Sequence, residues 1–147
     1  MISELNDEFL DEVMEIWLDV NISAHDFIDE SYWKKSYDKV KTEYFPKAKT
    51  YILIKQDEIV GFISVMHEDY IGAIFIAEAY QGKGYGRELI EFVQWKFPYL
   101  KLHVYEKNNK AIRFYKNNGF EITQKEVDSM GNSELVMVWQ KHKKQAI

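Results

Sequence analysis

Leu5, Phe9, Leu10, Val13, Ile16, Trp17 and Val20 recur at the spacing of one helix face. Acidic side chains fill the opposite face, and Asn6 stands where a helix start is capped. A break is expected over residues 21–25. Tyr32, Trp33, Tyr37, Val40 and Tyr44 then give a second helical stripe, stopped by Pro46. From there the period shortens to that of strands. Residues 51–55 and 59–66 read as two strands around the turn Gln56-Asp57-Glu58, and residues 71–76 as a third after a turn over 67–70.

Beyond the glycines at 82–86, Leu89, Ile90, Val93 and Phe97 return to helical spacing up to Pro98. Leu100, Leu102 and Val104 mark one face of a strand over 100–105. Residues 109–117 read as a helix closed by Gly119. Residues 120–127 and 134–140 flank Ser129-Met130-Gly131-Asn132 as an antiparallel hairpin. A short strand over 2–5 and a frayed tail over 141–147 complete the reading. The order ααβββαβαββ, without linker or repeat, predicts one mixed α/β domain over residues 1–147, a length suited to a single core.

Composition then narrows the function classes. Apolar residues make 46% of the chain and charged residues 29%, an ordinary globular balance. The absence of cysteine excludes disulfides, Cys-ligated zinc, iron–sulfur clusters and thiol nucleophiles. The histidines and carboxylates lack spacings such as H-x₃-H, so no metal is expected. A net charge of −5 argues against a nucleic-acid partner. No apolar run approaches the roughly 20 residues of a membrane span. The first residues lack the basic start and apolar core of a secretory leader, so the cytoplasm is the expected location. The charge is also unevenly spread: residues 1–33 hold ten acids and no Lys or Arg, leaving the remainder at +5.

The stretch Ile74-Phe75-Ile76 leads through Ala77-Glu78-Ala79-Tyr80 into Gln81-Gly82-Lys83-Gly84-Tyr85-Gly86-Arg87, where a helix begins. A strand, a glycine loop and a helix start in succession can aim backbone N–H groups and the helix's positive end at a phosphate. A flexible turn would also use glycines. A Walker loop does not fit, because no Lys-Ser or Lys-Thr follows. A dinucleotide loop fits little better: Arg87 stands where the third glycine belongs, and the loop lies mid-chain.

A second block supplies the missing context. Asn108, Ala111, Phe114, Tyr115, Gly119 and Phe120 match the pattern Asn-x-x-Ala-x-x-Phe-Tyr-x-x-x-Gly-Phe, and Gln81-x-x-Gly84-x-Gly86 matches Gln/Arg-x-x-Gly-x-Gly/Ala. These two blocks, one strand apart, resemble the GCN5-related N-acetyltransferase (GNAT) superfamily, and the element order is similar over essentially the whole chain. Ala24-His25-Asp26-Phe27 is further similar to small bacterial members of the YjaB-like type. The resemblance implies an α/β fold (α+β mixed) whose mostly antiparallel central sheet is flanked by helices and splays open after the strand ending at Ile76. It implies acetyl-CoA in that wedge. The backbone of Ile74, Phe75 and Ile76 would meet the pantetheine and the acetyl carbonyl. Gln81, Gly82, Lys83, Gly84, Tyr85, Gly86 and Arg87 would form the pyrophosphate loop. Asn108 would reach the pantetheine from the other side, with Ala111 small where its helix approaches.

An amine can attack a thioester directly if it is held in line and two protons are moved. By its motif position Tyr115 would be the acid near the leaving sulfur; the alternative is an aromatic packed in the core. His103, five residues before Asn108, would be the base, since related protein N-terminal acetyltransferases carry a carboxylate at that offset. It also fits a half-buried strand position. His25 lies between the first two helices, the roof of the acceptor site in this superfamily. It could bind substrate, orient a water, act as base, or simply bond to Asp26 at a helix boundary. His67 and His142 have little support. Tyr32, Trp33, Tyr37 and Tyr44 read as core packing that could also line an acceptor pocket.

The expected activity is acetyl transfer from acetyl-CoA to a primary amine of a small molecule or protein, by direct attack in a ternary complex. The alternative is a non-catalytic acyl-CoA-binding sensor; an ATP- or NAD-binding domain ranks third. The chain is expected to act as a monomer or homodimer, without nucleic acid or membrane. The charge split would favour an anionic cofactor on one side and a cationic amine on the other, with Asp26, Asp29 and Glu30 as steering acids.

Overall fold

Alternating apolar positions pair into a seven-stranded sheet among residues 1–141, the residues described by this computed structural model. The strands are β1 (Ile2–Glu4), β2 (Lys49–Lys55), β3 (Glu58–Met66), β4 (Tyr70–Ile76), β5 (Tyr99–Tyr105), β6 (Glu121–Val127) and β7 (Ser133–Gln140), in the spatial order β1-β2-β3-β4-β5-β7-β6. Neighbours are antiparallel except β4 and β5. The helices are α1 (Leu10–Ala24), α2 (Glu30–Lys39), α3 (Tyr85–Lys96) and α4 (Asn109–Asn117).

The period of two sorts the inner strands between two cores, with β3 changing phase at Val60, where the β2–β3 register shifts. Tyr51, Leu53, Val60, Ile63 and Val65 pack on one face with Leu89, Ile90 and Val93 of α3. Ile52, Phe62 and Ala73 pack on the other with Val13, Met14, Trp17 and Val20 of α1 and Trp33 of α2. Leu100, Leu102 and Val104, the expected inner face of β5, are all buried. Among the described residues no helix is long and apolar enough to cross a membrane.

Three local departures from the sequence reading have identifiable causes. Asn6 does cap a helical start, but its side chain accepts from the Glu8 amide in a 3₁₀ turn, Asp7–Phe9, that precedes α1. The break expected over 21–25 does not interrupt the helix, which runs to Ala24. Asn21 is buried there and donates from Nδ2 to the Trp17 carbonyl at 2.9 Å, so its polar side chain is satisfied within the helix. The second stripe is α-helical only to Lys39; a π turn (Val40–Tyr44) and a 3₁₀ turn (Phe45–Lys47) around Pro46 carry it to the sheet. The tail and His142 lie outside the described residues, apart from Lys141.

The site is created by one weak pairing. β4 and β5 share a single register pair, Tyr70↔Lys101, reinforced by Lys101 N donating to the Asp69 carbonyl at 2.8 Å. From there the strands diverge. The other edge of β4 remains zipped to β3 as far as Gly61↔Ile76. The edge of β4 facing β5 thus offers unpaired backbone groups toward an opening wedge, a template for any extended ligand carrying amides.

Candidate active site

A cleft of about 750 Å³ fills the wedge. Ile74, Phe75 and Ile76 form its β4 wall, and Gln81, Gly82, Gly84, Tyr85, Gly86 and Arg87 close one end. Gly82 and Gly84 have φ of +80° and +84°, a region that side chains with a Cβ rarely adopt, and the space where a Cβ would sit is open at both. Gly84 caps α3, so the first amides of that helix face this end without intrahelical partners. Arg87 and Lys110 add two cations to the same wall. Such an end suits phosphates.

Lys83 alone of the expected loop residues does not line the cleft. Gln81 acts as a brace: its Nε2 donates to the Ile76 carbonyl at 2.9 Å, and its Oε1 accepts from Lys110 Nζ at 3.2 Å. Lys110 was not singled out from sequence, although its place in the first turn of α4 beside the Asn108 motif was a usable signal.

Across the cleft, Asn108 caps α4 by accepting from the Ala111 amide at 3.2 Å. Its Nδ2 lies 3.4 Å from His25 Nε2. Both ends of the side chain are therefore engaged within the protein. Ala111 lines the cleft beside it, as does Tyr115. The Tyr115 ring packs against Phe114 and Phe120. Burial pushes its phenol far above the usual range, so the hydroxyl stays protonated.

The other mouth opens toward α1 and α2. Trp17, His25, Trp33 and Tyr105 give it an aromatic wall. His25 follows α1, bonds through its amide to the Asn21 carbonyl, and makes no bond to Asp26. It is only 7% exposed. Burial lowers its pKa to about 4, partly offset by the Asn21 carbonyl, so it is neutral at pH 7.

His103 also reaches the cleft, but both ring nitrogens are committed. Tyr70 Oη lies 2.7 Å from Nδ1, and Glu126 Oε1 lies 3.1 Å from Nε2. The Glu126 carboxylate can only accept, so Nε2–H donates to it and Nδ1 accepts from the Tyr70 hydroxyl, a phenol that burial and nearby carboxylates lift to about 12. Both nitrogens of His103 are thus engaged within the protein, and the base role expected of it would require one of these partners to be displaced. The wall also holds a carboxylate that sequence reasoning missed, Glu134 on β7. Burial raises its pKa, with Asp128 and Glu126 pushing the same way and His103 opposing. Nothing in the local sequence distinguishes Glu134 from Glu121 or Glu126; only the β5–β7 register does.

Two of the three proposed steering acids have local structural jobs. Asp29 caps α2 by accepting from the Ser31 amide at 2.8 Å, and Glu30 pairs with Lys34 one turn on, also at 2.8 Å. Among the described residues no group of three or more His, Cys, Asp or Glu could hold a metal ion.

Comparison with known proteins identifies the family and the fold. The family model for the acetyltransferase (GNAT) domain matches residues 46–122. A peptidyl-lysine N-acetyltransferase of Escherichia coli, YiaC, is 34% identical over 83% of this chain and 84% of its own. The solution structure of apo YjaB from Escherichia coli superposes with a TM-score of 0.82 at 29% identity, covering 95% of this chain and 96% of that one. The PaiA N-acetyltransferase of Thermoplasma acidophilum, in complex with coenzyme A, shares the fold with a TM-score of 0.79 at 17% identity, over 95% and 98%. With a domain match over more than half its length and a one-third-identical relative over most of it, the chain belongs to the GNAT family of acetyl-CoA-dependent N-acetyltransferases.

Proposed function

We propose that the acceptor is the primary amine of a lysine side chain presented by a protein, and that it is acetylated by direct attack while acetyl-CoA occupies the wedge. The observation carrying this reading is the two-ended cleft. One end has a free strand edge, a glycine loop and two cations; the other has aromatic walls and a carboxylate. An aliphatic stem ending in an ammonium suits the second mouth, because aromatic faces favour the stem and the cation alike. YiaC, named for peptidyl-lysine acetylation, supports the same acceptor class.

The residues fit the co-substrate on the structure's own terms. The β4 edge at Ile74, Phe75 and Ile76 would pair with the pantetheine amides. The amides of the Gly82–Gly84–Gly86 loop, with Arg87 and Lys110, would hold the pyrophosphate. Acetyl-CoA supplies an activated thioester carbonyl. Tyr115 would give its proton to the departing sulfur, and His25, neutral and walled by aromatics, would orient the acceptor rather than ionise.

A panel of lysine peptides, peptides with only an α-amine, polyamines and small amines, read by release of CoA thiol, tests the acceptor. Lysine peptides are expected to turn over best. Preference for polyamines would overturn the acceptor class, and CoA binding without turnover on any amine would return the sensor reading. Gly84→Val forces a β-branched side chain into the +84° conformation and the open space of the loop. It is expected to weaken CoA binding by calorimetry at least about tenfold, with a smaller change in kcat at saturating acetyl-CoA.

A further inference from the structure

We propose that Glu134 is the group that receives the acceptor's ammonium and takes its proton, and that the Tyr70–His103–Glu126 chain beside it positions this carboxylate's surroundings without itself being the base. The inference rests on the acetyl-transfer reading and adds to it the identity of the base.

Topology places Glu134 there. In the β5–β7 ladder Glu134 stands opposite Tyr105, and Val136 opposite His103. Opposite residues in an antiparallel pair share a face, as do residues two apart along a strand. Glu134, Tyr105 and His103 thus share one face, that of the aromatic mouth formed with α1 and α2.

Among the described residues Glu134 is the one carboxylate on the cleft wall. Its side chain forms no hydrogen bond or ion pair with any of them. Other acids nearby are already engaged: Glu126 accepts from His103, and Asp128 accepts from the Met130 and Asn132 amides in the hairpin turn. A half-buried carboxylate without a partner is costly unless a ligand supplies one. Its electrostatic surroundings are Glu126 on β6, Asp128 in the β6–β7 turn, His103 and Tyr105 on β5, and Tyr70 on β4. Burial and the two acids make it more basic than an exposed glutamate, which brings it closer to the range useful for a base at neutral pH.

The proton balance is simple. The acceptor R–NH₃⁺ gives one proton to the Glu134 carboxylate, leaving R–NH₂. The amine lone pair forms the C–N bond and the thioester C–S bond breaks. The sulfur takes the Tyr115 proton, the second nitrogen proton restores the Tyr115 phenol, and Glu134 returns its proton to solvent. The neighbouring His103 has both ring nitrogens engaged, by Tyr70 and Glu126, and leaves Glu134 as the carboxylate facing the acceptor.

Glu134→Gln tests this with two acceptors, a lysine peptide and a weakly basic aromatic amine that is neutral at pH 7.5. With the peptide, kcat/KM at pH 7.5 is expected to fall at least about tenfold, and the deficit to shrink as pH rises toward the amine's own pKa. The aromatic amine, which needs no deprotonation before attack, should lose much less. CoA affinity by calorimetry should be unchanged, which also shows that the variant is folded. If Glu134→Gln does not fold, Glu134→Asp serves instead: it should keep the wild-type pH profile at reduced rate. An equal loss with both acceptors, or an ammonium-selective loss in His103→Gln and none in Glu134→Gln, overturns the assignment. An inactive wild type overturns the acetyl-transfer reading and this inference together. An active wild type with an equally active Glu134→Gln overturns this inference alone.

Discussion

Replacing Tyr115 by Phe is expected to lower kcat about 100-fold, within the usual span for a lost general acid, while leaving the KM for acetyl-CoA nearly unchanged. The substitution keeps the ring contacts with Phe114 and Phe120 and removes only the hydroxyl. Burial holds that hydroxyl protonated well beyond neutral pH, so the wild type always has a proton to give. A thiolate is a moderately weak base, which keeps the loss toward the lower end of the range. The loss should be greatest with acyl donors whose leaving thiol is most basic. A kcat within about threefold of wild type would assign Tyr115 to packing alone.

Acid should weaken the fold through His25. In the native state burial holds its pKa near 4, whereas the unfolded chain binds a proton near 6.5. Above about pH 6.5 both states are neutral at this position and it costs nothing. As pH falls from about 6.5 to 4, the unfolded state gains a proton that the native state refuses, and stability drops by roughly 3 kcal/mol before levelling off. For a chain of this length that is a Tm decrease on the order of 6–12 °C. Carboxylates titrate in part of the same window, so the informative quantity is the difference from His25→Gln. That variant should lose less stability than wild type between pH 7 and pH 4, whatever its stability at pH 7. Parallel curves would mean that His25 titrates alike in the folded and unfolded chain.

Much of the fold was legible because hydrophobic period is a local property. The strands at β3, β4 and β5, the helix after the glycines and the hairpin of β6 and β7 all follow from runs of seven to twelve residues. What escaped depends on tertiary satisfaction of polar groups. Asn21 reads as a helix breaker until its amide is seen bonded to the Trp17 carbonyl. The start of β2 hides in Lys49-Thr50, because a polar Thr50 does not read as a buried strand position until its bond to Ser64 Oγ, at 2.7 Å, is seen.

The site divides the same way. The glycine loop and Tyr115 sit in contiguous motifs, and the structure brings them to one cleft. The acceptor side does not come from a contiguous motif. It is assembled from α1, α2, β4, β5 and β7, so the sequence leaves His103 open between a base and a half-buried strand residue and does not show Tyr70 and Glu126 on its two nitrogens. The charge split of the sequence also changes meaning. The carboxylate on the cleft wall, Glu134, comes from the net-positive part of the chain, while Asp29 and Glu30 of the acidic part serve α2.

Acetyl is expected to pass directly from acetyl-CoA to an amine held across the wedge. Initial rates of thiol release, measured while acetyl-CoA and a lysine peptide are varied together, test it most directly when the peptide is also weighed by mass spectrometry. Direct transfer predicts intersecting double-reciprocal lines and one acetylated lysine for each CoA thiol released. Parallel lines with acetyl found on the protein, or thiol release without an acetylated peptide, would contradict it.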